Sequence, residues 1–280
     1  MFFHLLRMES DKVFKRRLFW VGLIILVALI TLSDLFYYAY RGNLSPANQQ
    51  SLTWPAGLIA SLDFASGPFS FSSWGLLILT IIVGAVTAQE YSWRTMCVWL
   101  SRGVPRPLLL GAKFVIALIP VLLTVLACLL AGGALTAIFS LPLHGTIYTD
   151  RVNYGELALG TLRTAYIILP YVALSFLLAI VTRSTAAAVT GSLVFLLVIE
   201  TVLNVALPLL GKPFAQIAQY LPTNLATVIG NQNAAIAKLP IPAASALAPS
   251  QGIAAIGIAC YTLLFCGIAL WAFQRQNLSN

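Results

Sequence analysis

The sequence predicts an all-α membrane protein whose chain crosses the bilayer six times. Hydrophobic residues make up 60% of the 280 residues and charged residues only 9%, whereas soluble domains carry about 25% charged residues. The long apolar runs are continuous and lack the alternation of polar and apolar residues that is typical of membrane β-barrels. We therefore expect residues 1–280 to form a single transmembrane domain built from helices.

The net charge and the lack of clustered catalytic or metal-binding residues exclude several classes of function. A net charge of +8 would suggest nucleic acid in a soluble protein. In a membrane protein it is explained by the bias of Lys and Arg toward cytoplasmic loops and by anionic lipid, so we expect no nucleic-acid partner. The sequence has no C-x-x-C motif, no histidine cluster and no paired carboxylates. We therefore predict no metal site and no catalytic residues.

The first half of the chain contains three apolar runs. Residues 1–17 mix apolar and basic side chains, which predicts an interfacial helix on the membrane surface. Residues 41–68 are polar and rich in turn formers, which predicts an external loop. The predicted spans are 18–40, 69–88 and 108–141. The third run is longer than one crossing needs, and Lys113 near its start is expected to extend toward the interface.

The second half of the chain contains three further spans. These are predicted at residues 157–182, 186–210 and 253–273. Residues 211–249 are half apolar and interrupted by five prolines, which favours short re-entrant or surface helices at the external face over another crossing.

The positions of the basic residues predict the orientation. If both termini lie in the cytoplasm, eleven of the 16 Lys and Arg residues are cytoplasmic and five are external. The cytoplasmic set is Arg7, Lys12, Lys15, Arg16, Arg17, Arg94, Arg102, Arg106, Lys113, Arg183 and Arg275; the external set is Arg41, Arg151, Arg163, Lys212 and Lys238. The positive-inside rule favours this arrangement. We therefore predict a multi-pass protein of a prokaryotic cytoplasmic (inner) membrane.

The loop between the second and third spans has the pattern of a short amphipathic helix over residues 90–103. Its residues Trp93, Met96, Cys97 and Leu100 are spaced to share one helical face. Glu90 and Arg94 form a favourable i, i+4 pair. Gly103 stands where a helix C-terminus favours glycine, and Pro105 follows it. Such a helix is too short to cross the bilayer and is suited to docking on a partner.

In this loop the chain resembles the membrane subunits of ABC transporters of the ABC-2 type. Those subunits tend to carry a Glu at the end of the second span, an aromatic or basic residue, a Thr and Leu, a Gly-Val-Ser/Pro-Arg turn and a Lys in the third span. The matching residues here are Glu90, Trp93, Arg94, Thr95, Leu100, Gly103, Val104, Pro105, Arg106 and Lys113. The basic segment before the first span and the proline-broken loop before the last span are also similar.

The resemblance implies an exporter whose loop after span two is a coupling helix. Its site residues would be Glu90, Trp93, Arg94, Thr95, Leu100, Gly103 and Arg106, which would contact an ATP-binding subunit. The chain has no G-x-x-x-x-G-K-[ST] phosphate loop, so two partner ATPases would bind ATP and Mg, and a second permease copy would complete a homodimer. The chain itself would hold no cofactor. The absence of a large external domain favours an amphipathic or lipophilic cargo, such as a drug, an antimicrobial peptide or a lipid.

A charged residue within the fifth span supports a different hypothesis. Glu200 lies in an apolar run, and a carboxylate facing lipid there would cost a few kcal/mol. We therefore expect Glu200 to face the bundle interior, with Thr201 and Asn204 available to satisfy it. It would then form an interhelical contact or belong to a translocation pathway. The second role would fit a channel or secondary transporter that works without an ATPase.

Overall fold

Six helices of the computed structural model are long and apolar enough to span a membrane. The structure describes residues 10, 14–43, 52–66, 74–93, 95–101, 103–145, 152–239 and 248–276. The spanning helices are α1 (Arg17–Ala39), α3 (Trp74–Ser92), α5 (Arg106–His144), α6 (Tyr154–Thr182), α7 (Thr185–Leu209) and α10 (Gln251–Arg275). The described residues include no β-strand. The prediction of a six-span, all-helical membrane protein is confirmed.

Local signals fix where several of these helices begin and end. The Asn153 side chain accepts a hydrogen bond from the Glu156 N–H at the start of α6, as expected for an N-cap. Ser184 accepts the Ala187 N–H in the same way at the start of α7. Gly145 has a φ of 72° and donates its N–H to the Leu141 carbonyl, which ends α5 in a left-handed cap.

Helices α3 and α6 form the centre of the bundle. Within their most apolar stretches, 78% of α6 and 61% of α3 is buried, against 17% for α1 and for α10. Small residues permit this close approach: a Cβ added to Gly84 on α3 would lie 2.7 Å from the Ser175 hydroxyl on α6. The outer helices expose their apolar faces, which suits contact with the hydrocarbon of the bilayer.

The segment predicted as the first external loop contains a helix. Residues Ala56–Ser66 form α2, whose Leu58 and Leu62 are buried. It packs against α5, where a Cβ on Gly132 would lie only 2.2 Å from the Ser61 hydroxyl. The polar residues before it suggested a loop, but a mostly apolar composition from residue 56 onward supplies a face to bury.

The segment before the last span folds into short helices. These are α8 (Lys212–Ala218), α9 (Pro222–Gly230) and a 3₁₀ helix at Asn231–Ala237. Proline stands in the first turn of both α8 and α9, where its missing N–H costs nothing. Residues 240–247 of the predicted segment lie outside the described residues.

One face of the bundle carries the ends of both terminal helices. The Tyr91 hydroxyl donates to the Gln276 side-chain oxygen at 3.3 Å, and the Gln276 amide donates to the Ile180 carbonyl at 2.8 Å. These bonds join the C-terminal ends of α3, α6 and α10. This side of the molecule also carries Arg16, Lys113 and Arg275, and we call it the basic face. The predicted interfacial helix at residues 1–17 lies mostly outside the described residues, which there include only 10 and 14–17.

Candidate functional site

A short helix, α4 (Thr95–Ser101), connects α3 and α5 at the basic face. The predicted helix over residues 90–103 is wrong in extent, because Glu90 belongs to α3, which continues to Ser92. The Thr95 hydroxyl donates to the Glu90 carbonyl at 3.1 Å, which satisfies a carbonyl at the end of α3 where the chain turns. Arg94 and Arg102 lie outside the described residues, so the Glu90–Arg94 pair stays a prediction.

The C-terminal end of α4 closes as the glycine pattern predicted. Gly103 has a φ of +78°. Its N–H bonds the Leu100 carbonyl at 3.0 Å, and the Val104 N–H bonds the Trp99 carbonyl at 3.3 Å. This pair of bonds is the Schellman motif, which ends a helix with a left-handed residue. The turn before α5 therefore has a defined backbone path.

The segment around α4 has a buried side and an exposed side. Met96 is fully buried and Val104 is 4% exposed, so these two side chains anchor the segment in the core. Trp93 and Val98 are 61% and 48% exposed. Trp93 precedes α4, so it does not share a face with Met96 as the periodicity predicted. Leu100 is half-buried.

Glu90 is the centre of an ion-pair cluster that joins α3 to α1 and α5. Its side chain is buried and pairs with the Lys113 ammonium on α5. The Arg16 guanidinium, next to α1, lies 3.5 Å from the other carboxylate oxygen. Lys113 was expected to extend to the interface. Instead its side chain is 6% exposed, because the Glu90 carboxylate compensates its charge inside the bundle.

Arg16 also contacts the exposed part of the loop. Its guanidinium donates to the Val86 carbonyl at 3.1 Å and lies 5.1 Å from the centre of the Trp93 ring. A cation at this distance over an indole is attracted to the ring face. Arg16 therefore links the exposed Trp93 to the buried Glu90 carboxylate.

Arg106, predicted to contact a partner, makes contacts within the chain. Its guanidinium donates to the backbone carbonyls of Phe273 and Gln274. These carbonyls belong to the last turn of α10, where the helix dipole favours a cation. The first residue of α5 thus holds the end of the last span.

Glu200 is fully buried on α7, as predicted. One carboxylate oxygen accepts the Tyr171 hydroxyl at 3.1 Å and the Thr223 backbone N–H at 2.6 Å. Thr223 lies in the first turn of α9, so Glu200 satisfies a free N–H at that helix start. The other oxygen has no hydrogen-bond partner among the described residues. Span α7 is thereby joined to α6 and α9.

A π-helical turn at Phe195–Ile199 precedes Glu200. The Glu200 N–H bonds the Phe195 carbonyl, five residues back, and the extra residue rotates the remainder of α7 by about 100° relative to a regular α-helix. Val198 and Val202, which flank Glu200, are 52% and 56% exposed. The turn thus places the carboxylate inward and its apolar neighbours outward.

The residues expected to satisfy the Glu200 carboxylate bond elsewhere. The Thr201 hydroxyl donates to the Leu197 carbonyl at 2.8 Å. The Asn204 amide donates to the Glu200 backbone carbonyl at 3.0 Å, and its oxygen accepts the Asn224 amide at 2.6 Å. Asn204 therefore joins α7 to α9 beside Glu200 and leaves the carboxylate to Tyr171 and Thr223.

Four of the described residues hold the two carboxylates, and none of them was predicted in that role. These are Arg16, Lys113, Tyr171 and Thr223. Lys113 could have been found, because a lysine inside an apolar run requires a counter-charge. Tyr171 and Thr223 carry no such signal. Among the described residues, no group of three or more His, Cys, Asp or Glu side chains could hold a metal ion.

Residues 24–279 match the model of a family described as a protein of unknown function, DUF2705. The chain belongs to the DUF2705 family. No curated protein matches the chain. The DUF2705 match begins within α1 and includes Glu90, Lys113 and Glu200, while Arg16 lies ahead of it.

Proposed function

We propose that the chain is the membrane subunit of an ATP-driven exporter of the ABC-2 type, and that a separate subunit hydrolyses ATP. The observation that supports this most directly is the form of the α4 segment. Buried Met96 and Val104 fix it to the bundle, while Trp93 and Val98 are exposed. An exposed tryptophan on a fixed support is a typical interface anchor.

The ion-pair cluster supplies a route by which movement at α4 would reach the spans. Glu90 lies in the last turn of α3, two residues before its end, and its carboxylate holds Lys113 on α5 and Arg16 beside α1. A displacement of α4 by a partner would therefore act on three helices together. Arg106 extends the same connection to the end of α10.

We also propose a subunit arrangement and a class of cargo. The basic face would be cytoplasmic, two ATP-binding subunits carrying ATP and Mg would dock there, and two copies of this chain would form the membrane part. The segments proposed to be external contain α2, α8 and α9, which are short helices packed on the bundle. Such compact segments fit an amphipathic or lipophilic cargo.

Co-purification with an ATPase tests the proposal. The first step is to look for an ATP-binding subunit among the neighbouring reading frames; the chain would then be expressed with that subunit and captured by a tag. We expect Trp93→Ala and Val98→Asp to reduce capture at least tenfold, because they remove the exposed contacts. Trp271→Ala is the matched control, because Trp271 is also more than half exposed but lies on the last span. Equal capture by all variants would contradict a partner site at α4.

A second candidate function is a channel or secondary transporter that works alone, with Glu200 in its pathway. It is favoured by one observation: a buried carboxylate oxygen at Glu200 has no hydrogen-bond partner among the described residues. Purified chain in proteoliposomes would then transport without an ATPase, and Glu200→Gln would change the pH dependence of that transport. Transport only after addition of the ATPase would exclude this alternative.

A further inference from the structure

Between the last two spans the chain enters the bundle and returns to the same face. Helix α7 ends and α10 begins at the face opposite the basic face, which we call the far face. The Thr223 N–H donates to Glu200, which lies nine residues, or about 14 Å, before the end of α7 at Leu209. The Tyr261 hydroxyl donates to the Tyr220 carbonyl at 3.2 Å, and Tyr261 lies ten residues, or about 15 Å, into α10. Helices α8 and α9 therefore form a re-entrant hairpin whose tip reaches about half the depth of a hydrocarbon core of about 30 Å.

The outgoing arm of this hairpin, α9, is fixed by apolar packing. Its residues Leu225 and Ala226 belong to a buried cluster that includes residues of α6 and α10. A Cβ added to Gly257 on α10 would lie 2.6 Å from the Leu225 side chain, so the two helices are in close contact. Beyond α9, the Asn153 N–H donates to the Ile236 carbonyl at 2.9 Å. The end of this arm is thereby joined to the start of α6.

The incoming arm, α8, has much less apolar packing. Among its seven residues, all of which the structure describes, only Ala218 is buried. Phe214 and Ile217 are 41% and 56% exposed. A polar contact holds the end of α8: the Asn224 side-chain amide donates to the Ala218 carbonyl at 2.7 Å and to the Asn204 side-chain oxygen at 2.6 Å. Because such hydrogen bonds contribute little net free energy, α8 can leave its position more easily than α9.

The residue that joins α7 to α8 has a conformation that suits a hinge. Gly211 has a φ of 115° and a ψ of 176°, in a region that is nearly confined to glycine. The nearest atom to an added Cβ would be Pro213 Cδ, at 4.0 Å, so lack of space does not require glycine here. The requirement is conformational. A residue that absorbs a large change in φ and ψ at the end of an element is what hinge motion needs.

We propose that α8 is a movable gate, which rotates about Gly211 while α9 stays in place and opens a path from the far face to Glu200. Ala218 and Asn204 share the Asn224 amide, so α8 lies beside α7 one turn beyond Glu200. In the closed position Glu200 is fully buried, and one of its carboxylate oxygens has no hydrogen-bond partner among the described residues. Water that enters past the open gate would supply this partner. The gate needs no ATPase, so it is separate from the coupling proposed at α4.

Cysteine labelling of the purified chain in nanodiscs, where both faces are open to the reagent, tests the proposal. The probes are Ala218→Cys on α8 and Ala226→Cys on α9, each in a background without native cysteines. Both alanines are 2% exposed, so the two probes differ in the arm on which they report. We expect a water-soluble thiosulfonate reagent to label Ala218→Cys slowly and to leave Ala226→Cys unlabelled.

A change at the hinge should open the gate. Gly211→Ala disfavours the closed backbone, so it should raise the labelling rate of Ala218→Cys at least about fivefold. Gly252→Ala is the control, because the space around Gly252 is also open but its backbone is helical, in the first turn of α10. This control should leave the labelling rate unchanged.

Loss of the polar contact at the end of α8 should also open the gate. Asn224→Ala removes both hydrogen bonds of the amide and should raise the labelling rate of Ala218→Cys about fivefold. Thr227→Ala is the control, because the Thr227 hydroxyl donates to the Thr223 carbonyl within α9.

Three outcomes would overturn the proposal. An unchanged labelling rate of Ala218→Cys in Gly211→Ala would show that Gly211 is not the hinge. An unchanged rate in Asn224→Ala would show that the polar contact does not keep the gate closed. Equal acceleration at Ala226→Cys would show that the hairpin loosens as a whole and that α8 does not move on its own.

Discussion

Glu90 and Glu200 are both buried carboxylates on spanning helices, but the protein stabilises them in different ways. Glu90 lies between two cations, Lys113 and Arg16. Glu200 receives a tyrosine hydroxyl and a backbone N–H, and no Lys or Arg pairs with it among the described residues. The first carboxylate compensates charge, and the second satisfies hydrogen-bond donors.

The difference arises from where each carboxylate lies. Glu90 is near the basic face, where Lys and Arg can enter the bundle while their chains stay close to the surface. Glu200 lies deeper, next to the start of a short helix whose first N–H groups need acceptors. The same side chain therefore joins helices by charge at the face and by hydrogen bonds inside the bundle.

Cysteine labelling would determine which of the two carboxylates is near the cytoplasm. Each introduced cysteine should either be labelled from outside or not be labelled from outside at all. In a background without native cysteines, we expect cysteine at Ser101 or Ser184 to react with an impermeant thiol reagent only after permeabilisation. Cysteine at Asn231 should react from outside. Labelling of Ser101→Cys from outside would place Glu90 on the external side and contradict the proposed coupling. The sites at Gln50 and Thr149 would extend the test but lie outside the described residues.

Removing the Glu90 carboxylate should have the largest effect on stability. Glu90→Ala leaves Lys113 buried without its counter-charge, and breaking a buried pair costs about 3–5 kcal/mol. The free energy of unfolding in mixed micelles would measure the loss. The double variant Glu90→Leu with Lys113→Met removes both charges and should recover most of it. A double variant as unstable as Glu90→Ala would show that the ion pair is not the cause.

Replacing Glu200 should cost less and should depend on the substitute. Glu200→Gln keeps an acceptor for Tyr171 and Thr223, so we expect little change in the free energy of unfolding. Glu200→Leu leaves the buried Thr223 N–H without an acceptor, while the Tyr171 hydroxyl keeps the Thr223 hydroxyl at 3.0 Å, and should cost about 1–3 kcal/mol. Thr201→Val is the control, because Thr201 is exposed. Equal losses for Gln and Leu would show that the charge matters and the hydrogen bonds do not.

The turn after α4 should give the smallest effect. Gly103→Ala keeps open space around the new methyl group but places an L-residue at a φ of +78°, which costs about 1–2 kcal/mol. Gly111→Ala is the control, because its site is also open and its φ is negative. Its stability should stay the same or rise. Equal stability of the two variants would contradict a requirement for the left-handed conformation.

The sequence predicted the spans well and the partners of its buried charges poorly. A long apolar run is enough to predict a spanning helix. The glycine before Val-Pro also predicted correctly where α4 ends. The partners of Glu90 come from residues 16 and 113, and local spacing contains no information on contacts so distant in the chain. The same is true of Tyr171 and Thr223 around Glu200.

Helix α2 shows a second limit. Its residues 56–66 come after a polar stretch and are too few to cross a bilayer, so composition favoured a loop. What makes it a helix is packing against α5, where Gly132 admits Ser61. Such complementarity between distant small residues is a tertiary property, and it overrides the local preference.

The two partners of Glu200 are synthesised at different times. Tyr171 precedes Glu200 by 29 residues and Thr223 follows it by 23, so during synthesis the tyrosine is available first. A lone carboxylate entering the lipid is unfavourable. We therefore expect α6 and α7 to leave the translocation machinery together as a hairpin, with the Tyr171 hydroxyl already on Glu200. The later arrival of α9 would then lock the inserted pair.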